Sequence, residues 1–503
     1  VSQGQCYIII ILLMEDNIMI KLDQKSLFDK VFGCWTGKSI GGTFGAPYES
    51  KREFPELTGF DSPPGQPLPN DDLDLQLVWL KALEDYGPPG VNERVLGEYW
   101  VSYIPPQWAE YGIAKSNMKA GLLPPLSGDY ENNWKDSNGA WIRSEIWACC
   151  APGFPEIAAK YAWYDACVDH GTGEGVYAEL FTASLESAAF VESNRERLIK
   201  IGLSYIPADC RVARSVGVVM DCYKKGLGWR EARQMVLEDS ADLGWFQAPA
   251  NVAFVVIGWL YGEGDFKKSL LIAVNCGDDT DCTAATLGSI LGIIQGADAL
   301  PEDWKKHVGD SIVTISIDRG SCRNIPDTLT ELTNRILCMV PKMLEAHHVS
   351  VGVYDVDPGV SESTSDVLHA SSKHGEFLSN LRSALRFDFI HTRVEIQYAT
   401  GVNIQAGQEA TLHIKLYNLL PDPRHVEITY YLPDGFELLQ GRKHVSLRHK
   451  AGPEENKCTD NEYTFSVILR AGALIHASNR GVIQMVSTGR PTVMLIPILF
   501  LGI

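Results

Sequence analysis

Asn275–Ile294 reads NCGDDTDCTAATLGSILGII. Its first half puts three carboxylates in four positions, Asp278, Asp279 and Asp281, with Thr280 between them. Its second half spaces Ala284, Leu287, Leu291 and Ile294 by threes and fours, the repeat of a helix with one buried face. An acidic pair before a helix is commonly an N-cap with favourable first-turn charge. Three carboxylates exceed what a cap requires, because their repulsion raises pKa values and destabilises the fold unless a cation offsets it.

The same periodicity extends outward on both sides. From about Ser26 to Ala346, apolar residues recur at three and four, as in Ala250–Leu260, and short Gly/Pro breaks separate the segments. Strand-like alternation is scarce there. Around Val349–Lys373 the composition shifts to Ser, Asp, Gly and His, which reads as a connection. Alternating runs follow at Val394–Tyr398, Ala410–Leu416, Val426–Leu432 and Tyr463–Leu469, with Pro433-Asp434-Gly435 and Asn479-Arg480-Gly481 as turns and Val493–Leu501 as a last buried strand. The expectation is a mainly α protein: an all-α multi-helix domain over 26–346, a linker over 347–385, and a small Ig-like β-sandwich accessory domain over 386–503. Residues 1–25 read as an N-terminal extension, with the native start at Met14 or Met19.

With 503 residues, 44 Lys plus Arg against 63 Asp plus Glu and a net charge of -19, the composition opposes binding to a nucleic-acid backbone. The basic groupings, such as Lys267-Lys268, are pairs. The apolar stretch Tyr7–Met14 is far shorter than the roughly 20 residues of a membrane helix, and it lacks the flanks of a signal peptide. No CxxC spacing occurs among the 12 cysteines, so a reduced, cytoplasmic setting is expected.

A second acidic group, Asn70-Asp71-Asp72, follows a Pro/Gly-rich loop and precedes Leu73, Leu77, Val78 and Leu80 on helical spacing. Taken alone it reads as an N-cap. Oxygen-only clusters of Asp, Asn and Thr suit a hard cation, Mg²⁺ first and then Mn²⁺ or Ca²⁺. Gly33-Cys34-Trp35-Thr36-Gly37-Lys38-Ser39 has three residues, not four, between its first Gly and Gly-Lys, and no strand precedes it, so it is not a phosphate-binding loop. Gly33, Gly37, Gly41 and Gly45 lie along one helical stripe, for close helix packing or for close approach of a ligand. Each costs about 1 kcal/mol relative to alanine. Ala46-Pro47-Tyr48-Glu49 then leaves a carboxylate at the helix exit.

In this order, the Gly-rich helix ending in Glu49, Asn70-Asp71-Asp72, Ser137-Asn138-Gly139 with Arg143, His170, and Asn275–Ala284 resemble the ADP-ribosylglycohydrolase family over about Leu27 to Trp304. The resemblance implies an orthogonal helical bundle with a binuclear magnesium centre in a cleft, and hydrolysis of the bond between ADP-ribose and an acceptor. It implies Asp71, Asp72, Asp279 and Asp281 as metal ligands, with Asn70 and Cys282 at the positions where the family usually has threonine; Thr283 is a candidate to replace the thiol, a poor magnesium ligand. Glu49, Asp72 and Asp279 are the expected catalytic groups, and Ser137, Asn138, Gly139, Arg143 and His170 the expected substrate contacts. Arg143 has an alternative as a partner of Glu145 or another acid, and His170 as a hydrogen-bonded core histidine. Trp108, Trp134 and Trp141 are candidates to stack a base or sugar, or to form core and cleft wall. Other readings of the chain are a glycosidase acting on a nucleoside or carbohydrate, and a non-catalytic scaffold like the lens crystallins of this family.

Overall fold

The computed structural model describes residues 8–13, 18–353, 384–448 and 461–503. Parts of the expected N-terminal extension (1–7 and 14–17, with Met14) and most of the expected linker (354–383) lie outside the described residues. Contacts divide the chain into two units, Val1–Lys115 with Ser127–Leu381, and Ser116–Leu126 with Arg382–Ile503.

Sixteen α-helices occur among the described residues, all before residue 347. Helix Gln24–Gly45 packs along helix Thr280–Gln295, and the glycine stripe is the reason it can. A methyl at Gly33, Gly37 or Gly41 would stand 2.4, 2.0 or 2.0 Å from the carbonyl oxygen of Gly292, Gly288 or Ala284. Only hydrogen fits at these crossings. Two small-residue ridges therefore interlock backbone to backbone, and of the two readings of the stripe it is helix packing that the structure displays. Gly33–Ser39 lies wholly inside the first of these helices, with no strand-to-loop entry for a phosphate.

This packing has a directional consequence: the last turn of one helix, Gly45, meets the first turn of the other at Thr280 and Asp281. Thr280 Oγ1 donates to the Gly45 carbonyl at 2.9 Å. The chain after each end is tied again, by Ser50 N to Asp278 O at 2.9 Å and Asp278 N to Lys51 O at 2.8 Å. Gly277, at φ +78°, allows that approach, since a side chain there would meet the Lys51 carbonyl at 2.6 Å.

Strands Ile8–Leu13 and Ile18–Asp23 form an antiparallel pair, and Ser350–Val353, within the stretch expected as a linker, adds to the first of them. The second unit holds two five-stranded sheets. One runs, in spatial order, His444–Leu447, Arg424–Tyr431, Ser478–Ser487, Val493–Gly502, Asn403–Ile404; the other runs Ala384–Asp388, Thr392–Tyr398, Glu409–Asn418, Glu462–Arg470, Glu437–Gln440. Alternate residues of both, such as Leu412, Ile414, Ile483 and Ile496, share one core, as a sandwich requires. Asn479-Arg480-Gly481 is not a turn but the start of a ten-residue strand. Its Asn479 amide is buried and donates to the carbonyls of His476 and Phe500, satisfying inside the sheet the polar group that suggested a turn.

The ten described cysteines are free, and nine are buried. Among the described residues no helix is long and apolar enough to cross a membrane.

Candidate active site

Helix packing brings the two remote acidic stretches together. Oxygen or sulfur atoms of Asp72, Asp281 and Cys282 lie within 4.8 Å of one another, and so do carboxylate oxygens of Glu49, Asp279 and Asp281. Asp281 belongs to both groups. These residues, except the deeper Asp72, line a cavity of about 310 Å³ together with Asp71.

Three of the carboxylates are each held by a different neighbour. Tyr111 Oη donates to Asp71 Oδ2 at 3.1 Å, Asn138 Nδ2 donates to Asp279 Oδ2 at 2.7 Å, and the Cys282 thiol donates to Asp72 Oδ1 at 3.4 Å. Three other oxygens are the telling atoms: Asp72 Oδ2, Asp279 Oδ1 and Asp281 Oδ1 are buried, and no donor among the described residues reaches them. Leaving a buried acceptor unsatisfied costs about 1–3 kcal/mol, more for a charged one. Asp72 and Asp279 are each grouped with Asp281, so such atoms fit divalent cations, whose hard charge would satisfy them.

Electrostatics agree with the geometry. Burial and the charge of Asp281 push Asp71 up to about 6. Glu49 sits at the exposed edge; loss of solvent at its carboxyl, then the charges of Asp281 and Asp71, push it up to about 7. Burial raises Asp72, Asp279 and Asp281 as well. Lys38, buried beside them, is opposed by burial but held protonated by Glu145 and Asp72. It donates to Glu145 Oε1 at 2.8 Å and to the Ile142 carbonyl at 2.7 Å, which commits its charge to the protein.

Asn70 caps helix Asp71–Tyr86, its Oδ1 accepting from Asp72 N at 2.7 Å. The Thr283 hydroxyl is buried and donates to the Thr280 carbonyl.

Ser137, Asn138 and Gly139 line the cavity as expected, whereas Arg143 and His170 stand behind them, fully buried. Arg143 pairs with Asp165 and Asp169, each at 2.7 Å, and donates to the Gly139 carbonyl; Glu145 is not its partner. His170 Nε2 lies 3.2 Å from Ser137 Oγ, and its Nδ1 lies 2.9 Å from Asp169 Oδ1 at an ion-pair distance without hydrogen-bond alignment. Both residues therefore fix the loop and do not face the cavity. Trp141 is core and orients Asn138 by donating to its Oδ1 at 3.0 Å, while Trp108 and Trp134 form part of the cavity wall.

The sequence profile of the ADP-ribosylglycohydrolase family matches residues 23–341, well over half of the chain. The chain belongs to the ADP-ribosylglycohydrolase family. Among solved structures, an ADP-ribosylglycohydrolase-related protein complex is similar at 18% identity and a TM-score of 0.45, covering 63% of this chain and 99% of that one. A FixG-related protein from Vibrio parahaemolyticus (9% identity, TM-score 0.18, covering 23% of this chain and 98% of that one) and the cupredoxin domain of amoB from Nitrosocaldus yellowstonii (7%, 0.18, 23% and 88%) also match. No curated protein matches. Within this glycohydrolase-family site, Lys38, Glu110, Tyr111, Asp165 and Asp169 escaped sequence reading. Asp165 and Asp169, at i and i+4 on helix Pro155–His170 beside His170, carried the one usable signal.

Proposed function

We propose that this chain is a divalent-cation-dependent hydrolase of a glycosidic bond at the anomeric carbon of a ribosyl group, with ADP-ribose joined to an acceptor as the substrate its family points to. The observation that carries the reading is that buried oxygens of Asp72, Asp279 and Asp281 have no donor among the described residues, while Asp281 groups with each of the other two. Asp72 and Asp281 on one side and Glu49, Asp279 and Asp281 on the other are the residues to hold two ions, magnesium or manganese, with Asp281 common to both; the Cys282 thiol, which donates to Asp72, borders the first site without ligating it. When bound, such ions supply electrostatic stabilisation of developing charge and lower the pKa of water.

The protein's own groups do the rest. Glu49, at the open edge of the cavity, is placed to take a proton from the attacking water. Asn138, fixed by Trp141, holds Asp279 in one orientation, and Tyr111 does the same for Asp71. Arg143 and His170 act one layer back as positioning residues for the Ser137–Gly139 loop. Such preorganised first contacts reduce reorganisation during bond breaking.

The direct trial is release of free ADP-ribose from arginine- or serine-linked substrates with and without Mg²⁺. Cation-dependent release that is lost in Asp279→Ala supports the reading. Release unaffected by chelation, or retained in that variant, removes it.

A further inference from the structure

One corner of the acidic cavity carries an atom of a different kind. Cys282 Sγ lies within 4.8 Å of a carboxylate oxygen of Asp72 and of Asp281, and of the described cysteines it alone lines the cavity. Its neighbours call for a ligand independently of the thiol: Asp72 Oδ2 and Asp281 Oδ1 are buried and meet no donor among the described residues, and Asp72 as a whole is fully buried. The backbone on both sides is fixed. Where helix Gln24–Gly45 crosses, a methyl at Gly45 would stand 2.5 Å from Asp281 Cα, and Thr280 Oγ1 is bonded to the Gly45 carbonyl. Asp72 donates its N–H to Asn70, and its carbonyl accepts from Gln76 Nε2 at 2.9 Å. Two helix starts thus present the sulfur and the carboxylates at set positions.

To a hard cation this corner offers only oxygen. Magnesium takes carboxylates and water and leaves a thiol alone, so Cys282 keeps its hydrogen and its 3.4 Å bond to Asp72 Oδ1. A softer dication gains more. Zinc accepts thiolate beside carboxylate, with a metal–sulfur bond of about 2.3 Å. As that bond forms, the S–H bond of Cys282 breaks, its proton leaves to water, and Asp72 Oδ1 is released from the thiol. The cation then meets three anionic ligands, Asp72, Asp281 and Cys282, where magnesium meets two. The other group, Glu49, Asp279 and Asp281, contains no sulfur and gains nothing from the exchange.

We propose that Cys282 makes the Asp72–Asp281 site thiophilic, so that it takes Zn²⁺ through a metal–sulfur bond in preference to Mg²⁺ or Mn²⁺, while the Glu49–Asp279–Asp281 site keeps a hard cation. The inference rests on the cation sites of the proposed function, assigns the two of them different metals, and does not depend on hydrolysis.

Cadmium NMR of the whole chain, given one equivalent of Cd²⁺ as a zinc surrogate in excess Mg²⁺, reads the ligand directly, because sulfur ligation moves the cadmium resonance far downfield of oxygen-only sites. The unaltered protein should give a sulfur-shifted resonance that is absent from Cys282→Ser, whose hydroxyl keeps the corner's shape with oxygen alone. Zn²⁺ affinity, measured by competition against Mn²⁺ with the bound Mn²⁺ counted by electron paramagnetic resonance, should fall at least about tenfold in Cys282→Ser, with Mn²⁺ affinity nearly unchanged. An oxygen-only resonance in the unaltered protein overturns the proposal without requiring any variant to fold, and so does a sulfur-shifted resonance that persists in Cys282→Ser. Release of ADP-ribose is measured alongside. Cation-dependent release with an oxygen-only cadmium resonance sinks the selectivity and leaves the hydrolase standing, whereas cation-independent release with a Cys282-dependent resonance does the reverse.

Discussion

Replacing Gly37 by alanine tests whether the site owes its geometry to the glycine stripe. The new methyl would stand 2.0 Å from the Gly288 carbonyl oxygen. Comfortable contact needs about 3.5 Å, so the two helices must part by about 1.5 Å. Overpacking of this kind costs about 1–3 kcal/mol. Alanine returns about 1 kcal/mol of helix propensity. A backbone-to-backbone clash of this depth takes the upper end of that range, so the net expectation is a loss of about 2 kcal/mol, a fall of about 3 °C in the thermal midpoint for a helical region spanning residues 23–341. Gly217, inside helix Arg211–Lys224 with nothing within 4 Å of an added methyl, is the matched control. There the same substitution gains about 1 kcal/mol. Because the parted helices carry Glu49 and Asp281 at their ends, Gly37→Ala also weakens Mn²⁺ binding and Gly217→Ala does not. Calorimetric scans with and without Mn²⁺ read both effects. A Gly37→Ala protein as stable and as cation-responsive as the parent would refute the reasoning.

Removing one carboxylate from the shared position, Asp281→Asn, should abolish the thermal stabilisation by Mg²⁺ or Mn²⁺, which for a ligand at a hundred times its dissociation constant is about 2.7 kcal/mol; an unchanged shift would take Asp281 out of the cage. The raised carboxyls give the cation-free protein a defined pH response. Glu49 near 7 and Asp71 near 6, against ordinary values of 4.5 and 3.8, bind more protons folded than unfolded between those values, so their stability contribution is full below about 4 and is lost as pH rises to about 7. Thermal midpoints in chelator should therefore fall across that window, and saturating Mn²⁺ should remove the fall; a flat or rising profile in chelator contradicts the shifts. Arg143→Met leaves Asp165 and Asp169 buried without their cation, for a cost of about 3–5 kcal/mol. Denaturant unfolding measures it, and a loss under about 1 kcal/mol would mean the pair is not structural.

Local pattern made the helical unit, most long strands and both acidic clusters legible in advance, since each is written in consecutive residues. Asp279 and Asp281 stood out because repulsion among close carboxylates demands an explanation wherever the chain goes. Arg143 and His170 were found, yet their layer was not: whether a buried cation faces a cavity or backs a loop depends on Asp165 and Asp169, one helix away. Asn70 was ambiguous for a similar reason, an amide oxygen serving equally as cap and as ligand until its neighbour's N–H is placed. Glu110 gave no signal at all, because only the fold lays it on Gly139. The strand beginning at Ser478 was hidden by Asn and Gly, whose turn preference the surrounding sheet overrides.

Everything functional in this account depends on cations lodging among residues from both acidic stretches. Anomalous scattering from crystals grown with Mn²⁺ examines that most directly. Two peaks are expected, one among Asp72, Asp281 and Cys282 and one among Glu49, Asp279 and Asp281, with Asp281 touching both. Ordered crystals at saturating Mn²⁺ with no peak at either position would contradict it.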